Sequence, residues 1–520
     1  MNTLSVSNKK WVLKEFNNNE VKFFKDNFLL DEITSKLLSI RKIKKEEIKC
    51  FLNPLIKHYL PNPENLNDMK KSSIRTIKAI ETNEKIGIFG DYDVDGASAT
   101  ALLGNFFSSL GLSFEIYIPD RKQEGYGPTI GAFKKLISKG VKLIFTVDCG
   151  TMSFDAIEYA YSNKIDVIVL DHHQSEVNLP KAHSIINPNR LDENSDLKYL
   201  CAAGVTFMFL ISLNKFLKAD KWFEKNKINE PNLLNYLDLV ALGTICDVVP
   251  LIGLNRAIVK QGLRILRSKK NLGLKALTEI CDINTHLSVY HIGYMIGPRI
   301  NAGGRVGKSS HGANLLMDNN AKNVYEIAIE LDHSNKERQH LEKEVLDLVL
   351  SELGDSVLDP VIIINRKNLH EGVIGIVASR IKDKFNKPVI IISLDDKIGK
   401  ASARSIVGFD IGSVIISAVQ EKILIKGGGH KMAGGFSIKI ENIKKLKDYI
   451  FKKFNKIYKD LNKGKALFLD SIIAPTAINL EFYNKINVLA PFGSGNPEPK
   501  FVIENVKTVN SKIVKDKHIK

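Results

Sequence analysis

The sequence has few cysteines, no long apolar run, and no repeated or low-complexity segment. Its five cysteines are scattered over 520 residues without a Cys-x-x-Cys pair, which argues against a disulfide framework and a zinc ribbon. No apolar run is long enough to span a bilayer, and the first residues lack the apolar core of a secretory signal. We therefore expect a cytoplasmic protein that does not associate with membranes.

Acidic residues are outnumbered: 58 Asp and Glu stand against 75 Lys and Arg, which gives a formal net charge of +17. A positive field of this size favours a polyanionic partner such as nucleic acid. The abundance of Lys, Asn and Ile is equally typical of an AT-rich genome, so charge alone leaves nucleic-acid binding and compositional bias open. The length predicts roughly three or four domains.

Apolar runs alternate with helical stretches from about residue 70 to 190, which predicts an α/β fold with a parallel sheet. The predicted strands are 85–90, 114–119, 143–148, 167–171 and 184–187. We expect one extended helix over 323–353 and a second α/β segment after it. The predicted domains are an N-terminal helical region (1–65), the first α/β domain (66–320), a connecting helix (321–355), a smaller α/β domain (356–460) and a C-terminal β module (461–520).

Acidic and histidine residues stand where successive predicted strands end. Ligands of open α/β sheets bind outside the carboxyl ends of the strands, so these side chains are expected to converge. We expect a turn at Gly96 to aim the first three carboxylates individually. The residues are Asp91, Asp93 and Asp95 after the first strand, Asp148 at the end of the third, Asp171, His172 and His173 at the fourth, and Asp247 after a later helical stretch.

Crowded carboxylates repel each other unless a cation neutralises them, and carboxylates combined with imidazoles suit Mn²⁺ or Mg²⁺. Two such ions can activate a water and stabilise a leaving oxygen, which predicts hydrolysis of a phosphoester or phosphoanhydride. Taken alone, the segment 91–96 is also compatible with a solvated acidic turn or a calcium loop. Its combination with the later Asp and His residues favours the metal site.

Five motifs, at 91–96, 148–150, 171–173, 243–251 and 297–305, resemble those of the DHH phosphoesterase superfamily. Over nearly all of its length the chain resembles the RecJ family, the bacterial exonucleases that degrade single-stranded DNA from the 5′ end. The resemblance implies two Mn²⁺ or Mg²⁺ ions, with Asp148 bridging them and His173 contacting the scissile phosphate. The implied metal ligands are Asp93, Asp95, Asp148, His172 and Asp247.

Two further positions near the implied metal site carry expectations of their own. Asp91 is expected to ligate a metal or to support a residue that does, and we count it with Asp148 and His173 as catalytic. Phe89 stands where some relatives carry a histidine. Because an aromatic ring cannot ligate, we expect the first metal to be held by fewer protein groups.

Substrate-binding residues are implied by the same resemblance. Arg121, Ser402 and Arg404 would bind the terminal 5′-phosphate, for which the planar guanidinium fork is well suited. Contacts to the DNA backbone are implied for Arg299, Asn301, Arg305 and, on the same surface, His430. By their residues alone, 119–127 is compatible with a charged surface loop. The glycine-rich run 427–435 is compatible with a tight loop between strands, which could also cradle phosphate.

The fold predicted with this resemblance is α/β: a parallel-sheet DHH catalytic domain, a long connecting helix, a smaller DHH-associated α/β domain and a partial, OB-like C-terminal module. The module is expected to be truncated at Lys520. OB-folds bind single strands, and the Lys-rich segment 444–465 would either compensate electrostatically or form a solvated helix face.

The function predicted on this basis is a metal-dependent 5′→3′ exonuclease on single-stranded DNA, acting in DNA repair and recombination, with a helicase and a single-strand-binding protein as partners. The alternatives are a DHH phosphodiesterase for oligonucleotides or cyclic dinucleotides, and a non-catalytic DNA-binding scaffold. The scaffold alternative predicts missing metal ligands, whereas the Asp and His set is intact here.

Overall fold

A computed structural model of the chain describes residues 5, 9–121, 123–354, 358–457, 466–514 and 518–519. It divides into two compact units. The first comprises 1–119, 126–297 and 464–520, and the second comprises 120–125 and 298–463.

The described chain contains both helices and strands throughout. The helices are α1 (Asn18–Phe28), α2 (Glu32–Ile40), α3 (Ile48–Leu52), α4 (Ile56–Tyr59), α5 (Met69–Glu81), α6 (Val94–Ser109), α7 (Ile130–Ser138), α8 (Phe154–Ser162), α9 (Ala202–Ala219), α10 (Trp222–Asn226), α11 (Leu237–Cys246), α12 (Gly253–Arg267), α13 (Leu272–Ile280), α14 (Val289–His291), α15 (Gly297–Gly303), α16 (His311–Met317), α17 (Ala321–Leu353), α18 (Glu371–Phe385), α19 (Ile411–Gln420), α20 (Ile443–Ile457) and α21 (Leu480–Asn487). The strands are β1 (Lys10–Leu13), β2 (Ile86–Gly90), β3 (Phe114–Tyr117), β4 (Leu143–Val147), β5 (Asp166–Leu170), β6 (Ser184–Ile186), β7 (Ile362–Lys367), β8 (Val389–Leu394), β9 (Ile398–Arg404), β10 (Lys426–His430), β11 (Ala433–Lys439), β12 (Ala466–Leu469), β13 (Ser471–Ile472), β14 (Phe501–Val502), β15 (Ile513–Val514) and β16 (His518–Ile519).

The first unit is built on a five-stranded parallel sheet in the order β3-β2-β4-β5-β6. Strands β2 and β4 are buried along their whole length, as expected for continuous apolar runs covered on both faces. All five predicted strands are present, so the predicted parallel α/β sheet is confirmed. Their register pairs Gly90 with Val147 and Val147 with Leu170, which brings the carboxyl ends of the three central strands level with each other.

Helix α9 is long and apolar enough, by length and composition, to cross a membrane, although Asn214, Lys215 and Lys218 interrupt its apolar residues. It lies inside the first unit, where 72% of its residues are buried. It packs against α5, α6 and α11, so its apolar character is explained by core packing.

The N-terminal region, predicted to be helical, also contains a strand: β1 pairs in parallel with β12. The helical spacing of apolar residues cannot predict a strand whose pairing partner lies more than four hundred residues away in the sequence. The N-terminal and C-terminal segments also both contact Arg256. Its buried guanidinium donates hydrogen bonds to the carbonyls of Phe51, Leu489, Ala490 and Pro491. Beyond β12 the described strands are short pairs, parallel for β13 with β14 and antiparallel for β15 with β16.

The second unit carries a mixed sheet in the order β10-β11-β9-β8-β7, parallel only between β7 and β8. The predicted long helix is present as α17, with 33 residues. The glycine-rich run 427–435 forms most of β10 and the start of β11, which pair with each other across a tight connection. Glycine has low strand propensity, but here pairing and close packing against α19 decide the structure.

Candidate active site

Acidic residues follow three neighbouring strands of the first unit at one edge of its sheet. Asp91 follows β2, Asp148 follows β4 and Asp171 follows β5, while Asp247 caps the C-terminus of α11. Asp148 has a φ of 61°, in the left-handed region that disfavours most side chains. An outlier of this kind is typical of a functional residue whose position is imposed by its surroundings.

Asp93 and Asp95 are placed by helix starts rather than by a turn. Asp93 is the N-cap of α6, and its Oδ1 accepts hydrogen bonds from the amides of Asp95 and Gly96 at 2.9 and 3.0 Å. The turn expected at Gly96 is therefore wrong, because Gly96 lies in the first turn of α6. A Cβ there would lie 2.6 Å from the Asp91 carbonyl oxygen, so the glycine permits the close approach of the strand end.

Asp95 is anchored at a second helix start. Its carboxylate is buried and accepts hydrogen bonds from the amides of Ala202 and Ala203, at the N-terminus of α9, at 2.6 and 2.9 Å. The helix dipole stabilises a negative charge at this position. Asp95 is thus held rigidly beside the other carboxylates.

The predicted ligands of the first unit are brought together in three overlapping groups whose oxygen or nitrogen atoms lie within 4.8 Å of one another. Asp148 and His172 each belong to two of these groups, so the groups overlap at these two residues. The groups are Asp91 with Asp93 and Asp148; Asp95 with His172 and Asp247; and Asp148 with His172 and His173.

Burial and mutual repulsion make two carboxylates of this cluster, Asp148 and Asp247, hard to ionise without a cation. Burial, reinforced by Asp93, Asp95 and Asp91, raises the pKa of Asp148 well above its usual range. Burial together with Asp95 and Asp93 raises the pKa of Asp247 to about 8. The cluster therefore favours either protons or a bound cation.

The two histidines have opposite electrostatic environments. Burial lowers the pKa of His172, which keeps its imidazole neutral and able to ligate a metal. Burial also acts against the charged form of His173, but the hydrogen bond and charge of Asp171 outweigh it and raise the pKa of His173 to about 9. The distance between His173 Nδ1 and Asp171 Oδ1 is 2.8 Å. His173 is therefore set up as a cation.

The donor set fits divalent cations. Asp148 Oδ1 is buried and makes no hydrogen bond within the described chain, and His172 Nε2 approaches it only to 3.3 Å. A buried carboxylate oxygen without a donor is costly unless a metal ion completes its surroundings. Carboxylates with neutral imidazole are the donors that Mn²⁺ accepts well and Mg²⁺ accepts in part.

Phe89 takes no part in this cluster. Its ring is fully buried, stacks on Tyr117 with centroids 5.7 Å apart, and meets Phe133 edge to face. It fills the core beneath the sheet edge.

The second unit holds the residues expected to meet the 5′-phosphate. Arg404 Nη1 donates to Ser402 Oγ at 3.2 Å and to its neighbour's carbonyl at 2.8 Å, and the structure records no carboxylate partner for Arg404 within the described ranges. Burial and the positive charge of Arg121 lower the pKa of Arg404. A Cβ at Gly375 would lie 2.8 Å from Ser402 Oγ and 3.0 Å from Arg404 Nη2, so this helical glycine makes room for the pair.

The residues expected on the DNA backbone are more dispersed in the second unit. Arg299 Nε binds Asp332 Oδ1 at 2.8 Å, so part of its guanidinium is engaged within the fold. Arg305 Nη1 donates to the carbonyl of Gly372 at 3.1 Å. Asn301 lies in α15, and His430 lies at the end of the edge strand β10. Their contacts to DNA remain predictions.

Two residues of the first unit were not assigned a role from the sequence. Asp171, part of the 171–173 motif, accepts hydrogen bonds from the amides of Thr151, His172 and His173 and orients the His173 ring. Tyr126 donates to the Asp148 carbonyl at 3.0 Å and lies 3.3 Å from His173 Nδ1. Tyr126 lies in the stretch 119–127 that contains Arg121, but no spacing in that stretch indicates that its hydroxyl reaches Asp148.

Three family models match successive parts of the chain. The DHH family N-terminal domain matches residues 85–244, the DHHA1 domain matches 357–456, and the RecJ OB domain matches 469–520. The first match covers β2 to β6 and most of α11, and the second covers the mixed sheet of the second unit.

Individual relatives and structures are similar over most of the chain. It is 32% identical over 505 residues to the single-stranded-DNA-specific exonuclease RecJ of Bacillus subtilis, aligned over 96% of this chain and 62% of that protein. It is 34% identical over 473 residues to RecJ of Escherichia coli, covering 88% of this chain and 81% of that protein. The crystal structure of Thermus thermophilus RecJ in complex with Mn²⁺ superposes with a TM-score of 0.81 at 26% identity, over 96% of this chain and 70% of that one.

Proposed function

The chain belongs to the RecJ family of DHH phosphoesterases, and from this premise we propose that it is a metal-dependent exonuclease that degrades single-stranded DNA from the 5′ end to 5′-mononucleotides. The observation that carries the proposal is the convergence of five carboxylates and two imidazoles at one edge of the first sheet. The buried Asp148 Oδ1 accepts no hydrogen bond within the described chain, so the site favours added cations.

We assign two Mn²⁺ or Mg²⁺ ions to this cluster, held by Asp93, Asp95, Asp148, His172 and Asp247, with Asp148 shared. When bound, such ions supply an activated water and stabilise the oxygen that leaves the phosphorus. The neutral His172 imidazole offers a lone pair, and the Asp148 carboxylate holds its position through the imposed backbone conformation. Asp91 belongs to one ligand group and is assigned there as a ligand or a support.

His173 has a separate role in the proposal. As an imidazolium held by Asp171, it would donate a hydrogen bond to a non-bridging oxygen of the scissile phosphate and stabilise the charge that develops there. Tyr126 lies beside the ring, with its hydroxyl 3.3 Å from His173 Nδ1.

Recognition of the 5′ end is assigned to Arg121, Ser402 and Arg404. A guanidinium and a hydroxyl can bind oxygens of one terminal phosphate, and a dianionic 5′-phosphate would stabilise the positive charge that burial disfavours on Arg404. Arg299, Asn301, Arg305 and His430 are assigned to the DNA backbone. We further infer a cytoplasmic location, a role in DNA repair and recombination, and a helicase and a single-strand-binding protein as partners.

A time course with 5′-phosphorylated, 3′-blocked single strands tests the proposal, with Mn²⁺, with Mg²⁺ and with chelator. We expect mononucleotides from the first time points, little cleavage of a blunt duplex, and none with chelator. A dinucleotide substrate is the parallel arm. Rapid hydrolysis of the dinucleotide with an intact long strand would replace the proposal by a phosphodiesterase for short oligonucleotides.

A further inference from the structure

A groove of about 760 Å³ runs along α5 in the first unit. One side is formed by the start of α5 and the segment before it, including Leu66 and Met69. The other side contains Asp166, which begins β5, and His183, which precedes β6. These are the amino ends of parallel strands, so the groove lies at the opposite edge of the sheet from the carboxylate cluster.

The exposed face of α5 that borders the groove carries three lysines and one aliphatic side chain. Lys70 and Lys71 lie one turn before Ile74, and Lys78 lies one turn after it, so all four share one face of the helix. Ile74 is 52% exposed. A single exposed isoleucine is ordinary on a protein surface, so its meaning here depends on the charges that surround it.

The charges of the groove are not balanced by its own acidic residues. Its carboxylates are already paired: Glu64 with Lys215 at 2.6 Å, Asp68 with Arg190 at 3.0 Å, and Asp166 with Arg75 at 2.6 Å. Within the part of the chain that the structure describes, no carboxylate lies within 4.0 Å of the Lys70, Lys71 or Lys78 ammonium groups. The groove therefore presents uncompensated positive charge beside apolar surface.

We propose that this groove, the α5 groove, docks an acidic segment of a partner protein that carries aliphatic or aromatic side chains. An apolar side chain of the segment packs against Ile74, and its carboxylates face Lys70, Lys71 and Lys78. Charge complementarity of this kind steers encounter and selects the partner, while the apolar contact adds affinity. Because the groove and the carboxylate cluster lie at opposite sheet edges, the partner would leave the nuclease site accessible.

A nucleic-acid strand suits the groove less well. A phosphate backbone carries a charge at every nucleotide and would pass close to the carboxylates of Asp68 and Asp166. A peptide can place its carboxylates opposite the lysines alone and leave neutral residues beside the paired acids. The lining therefore favours a polypeptide over DNA.

Fluorescence anisotropy of the full chain tests this with a labelled peptide that alternates glutamate with leucine and a matched peptide in which serine replaces leucine. We expect saturable binding of the leucine peptide, weakened roughly tenfold by Lys71→Glu combined with Lys78→Glu. The control is Lys44→Glu combined with Lys49→Glu, which makes the same change in net charge on exposed lysines away from the groove. Ile74→Ser is expected to weaken the leucine peptide but not the serine peptide.

Several outcomes would overturn the proposal. The first is that the unmodified chain shows no saturable binding of the leucine peptide. The second is that the groove variants and the control variants lose peptide affinity equally. The third is that the groove variants lose affinity for single-stranded DNA while peptide binding is unchanged. The last outcome would assign the lysines to nucleic acid. Hydrolysis of single-stranded DNA is expected to be unchanged in all of these variants, which separates this test from that of the nuclease function.

Discussion

The carboxylate cluster of the first unit and the arginine site of the second unit are opposite in charge but similar in construction. In the first, Asp148 and Asp247 are buried among other carboxylates; in the second, Arg404 is buried with Arg121 as its charged neighbour. The pair Arg299 and Asp332 shows the contrasting case, in which two opposite charges neutralise each other within the fold. Like charges buried together indicate a ligand of the opposite sign: cations for the first site and a phosphate for the second.

The largest expected effect tests the carboxylate cluster of the first unit. Asp148→Ala removes the carboxylate shared by two ligand groups, so we expect single-strand hydrolysis to fall by roughly a thousandfold. Initial rates with saturating Mn²⁺ measure the loss. Asp155→Ala, an exposed acidic residue in the first turn of α8, is the control and should retain activity. Full activity in the Asp148 variant would contradict the assigned metal site.

A smaller effect is expected at the second site. Arg404→Gln removes the charge but keeps hydrogen-bonding capacity, so we expect KM for a 5′-phosphorylated strand to rise roughly tenfold while KM for a 5′-hydroxyl strand changes little. Steady-state kinetics on the paired substrates measure the difference. Arg366→Gln, on β7 and paired with Glu352, is the matched control. Equal changes for both substrates would show that Arg404 does not read the terminal phosphate.

Gly375→Ala tests the same site through its packing. The added Cβ would lie 2.8 Å from Ser402 Oγ and displace it together with Arg404, so we expect about a threefold loss of preference for the 5′-phosphate. Alanine favours a helix interior by roughly 0.5–1 kcal/mol, so stability should be kept. Gly131→Ala, where the nearest atom lies at 3.8 Å, is the control in another helix. Unchanged preference would mean that Ser402 and Arg404 tolerate displacement.

The stability of the fold is expected to depend on pH differently when the carboxylate cluster holds cations and when it does not. In chelator, the raised pKa of Asp247 means that the folded state binds its proton more tightly than the unfolded state. Stability should therefore fall as pH rises from the unfolded value of 3.8 to the folded value of about 8. Thermal unfolding across this range should show a shallower decline in Asp247→Asn, and Mn²⁺ should raise Tm most at high pH. An identical decline in both proteins would exclude Asp247 as its source.

Several elements of the fold could be predicted because their signals are local. The apolar runs of β2, β4 and β5 are continuous, and α17 ends at Gly354. The strands and the end of the helix could therefore be predicted from neighbouring residues in the sequence. Other features depend on non-local pairing. Strand β1 forms on a partner near residue 466, and the glycine-rich run becomes β10 because β11 lies beside it.

The sequence by itself determined which residues could ligate metal and that a parallel sheet would gather them, because a strand end and its carboxylate are neighbours in the chain. Only the tertiary structure decided that Asp93 and Asp95 are held by the starts of α6 and α9, and that His173 is charged while His172 is neutral. Burial and the exact neighbours of a side chain fix its charge, and those neighbours come from distant parts of the chain.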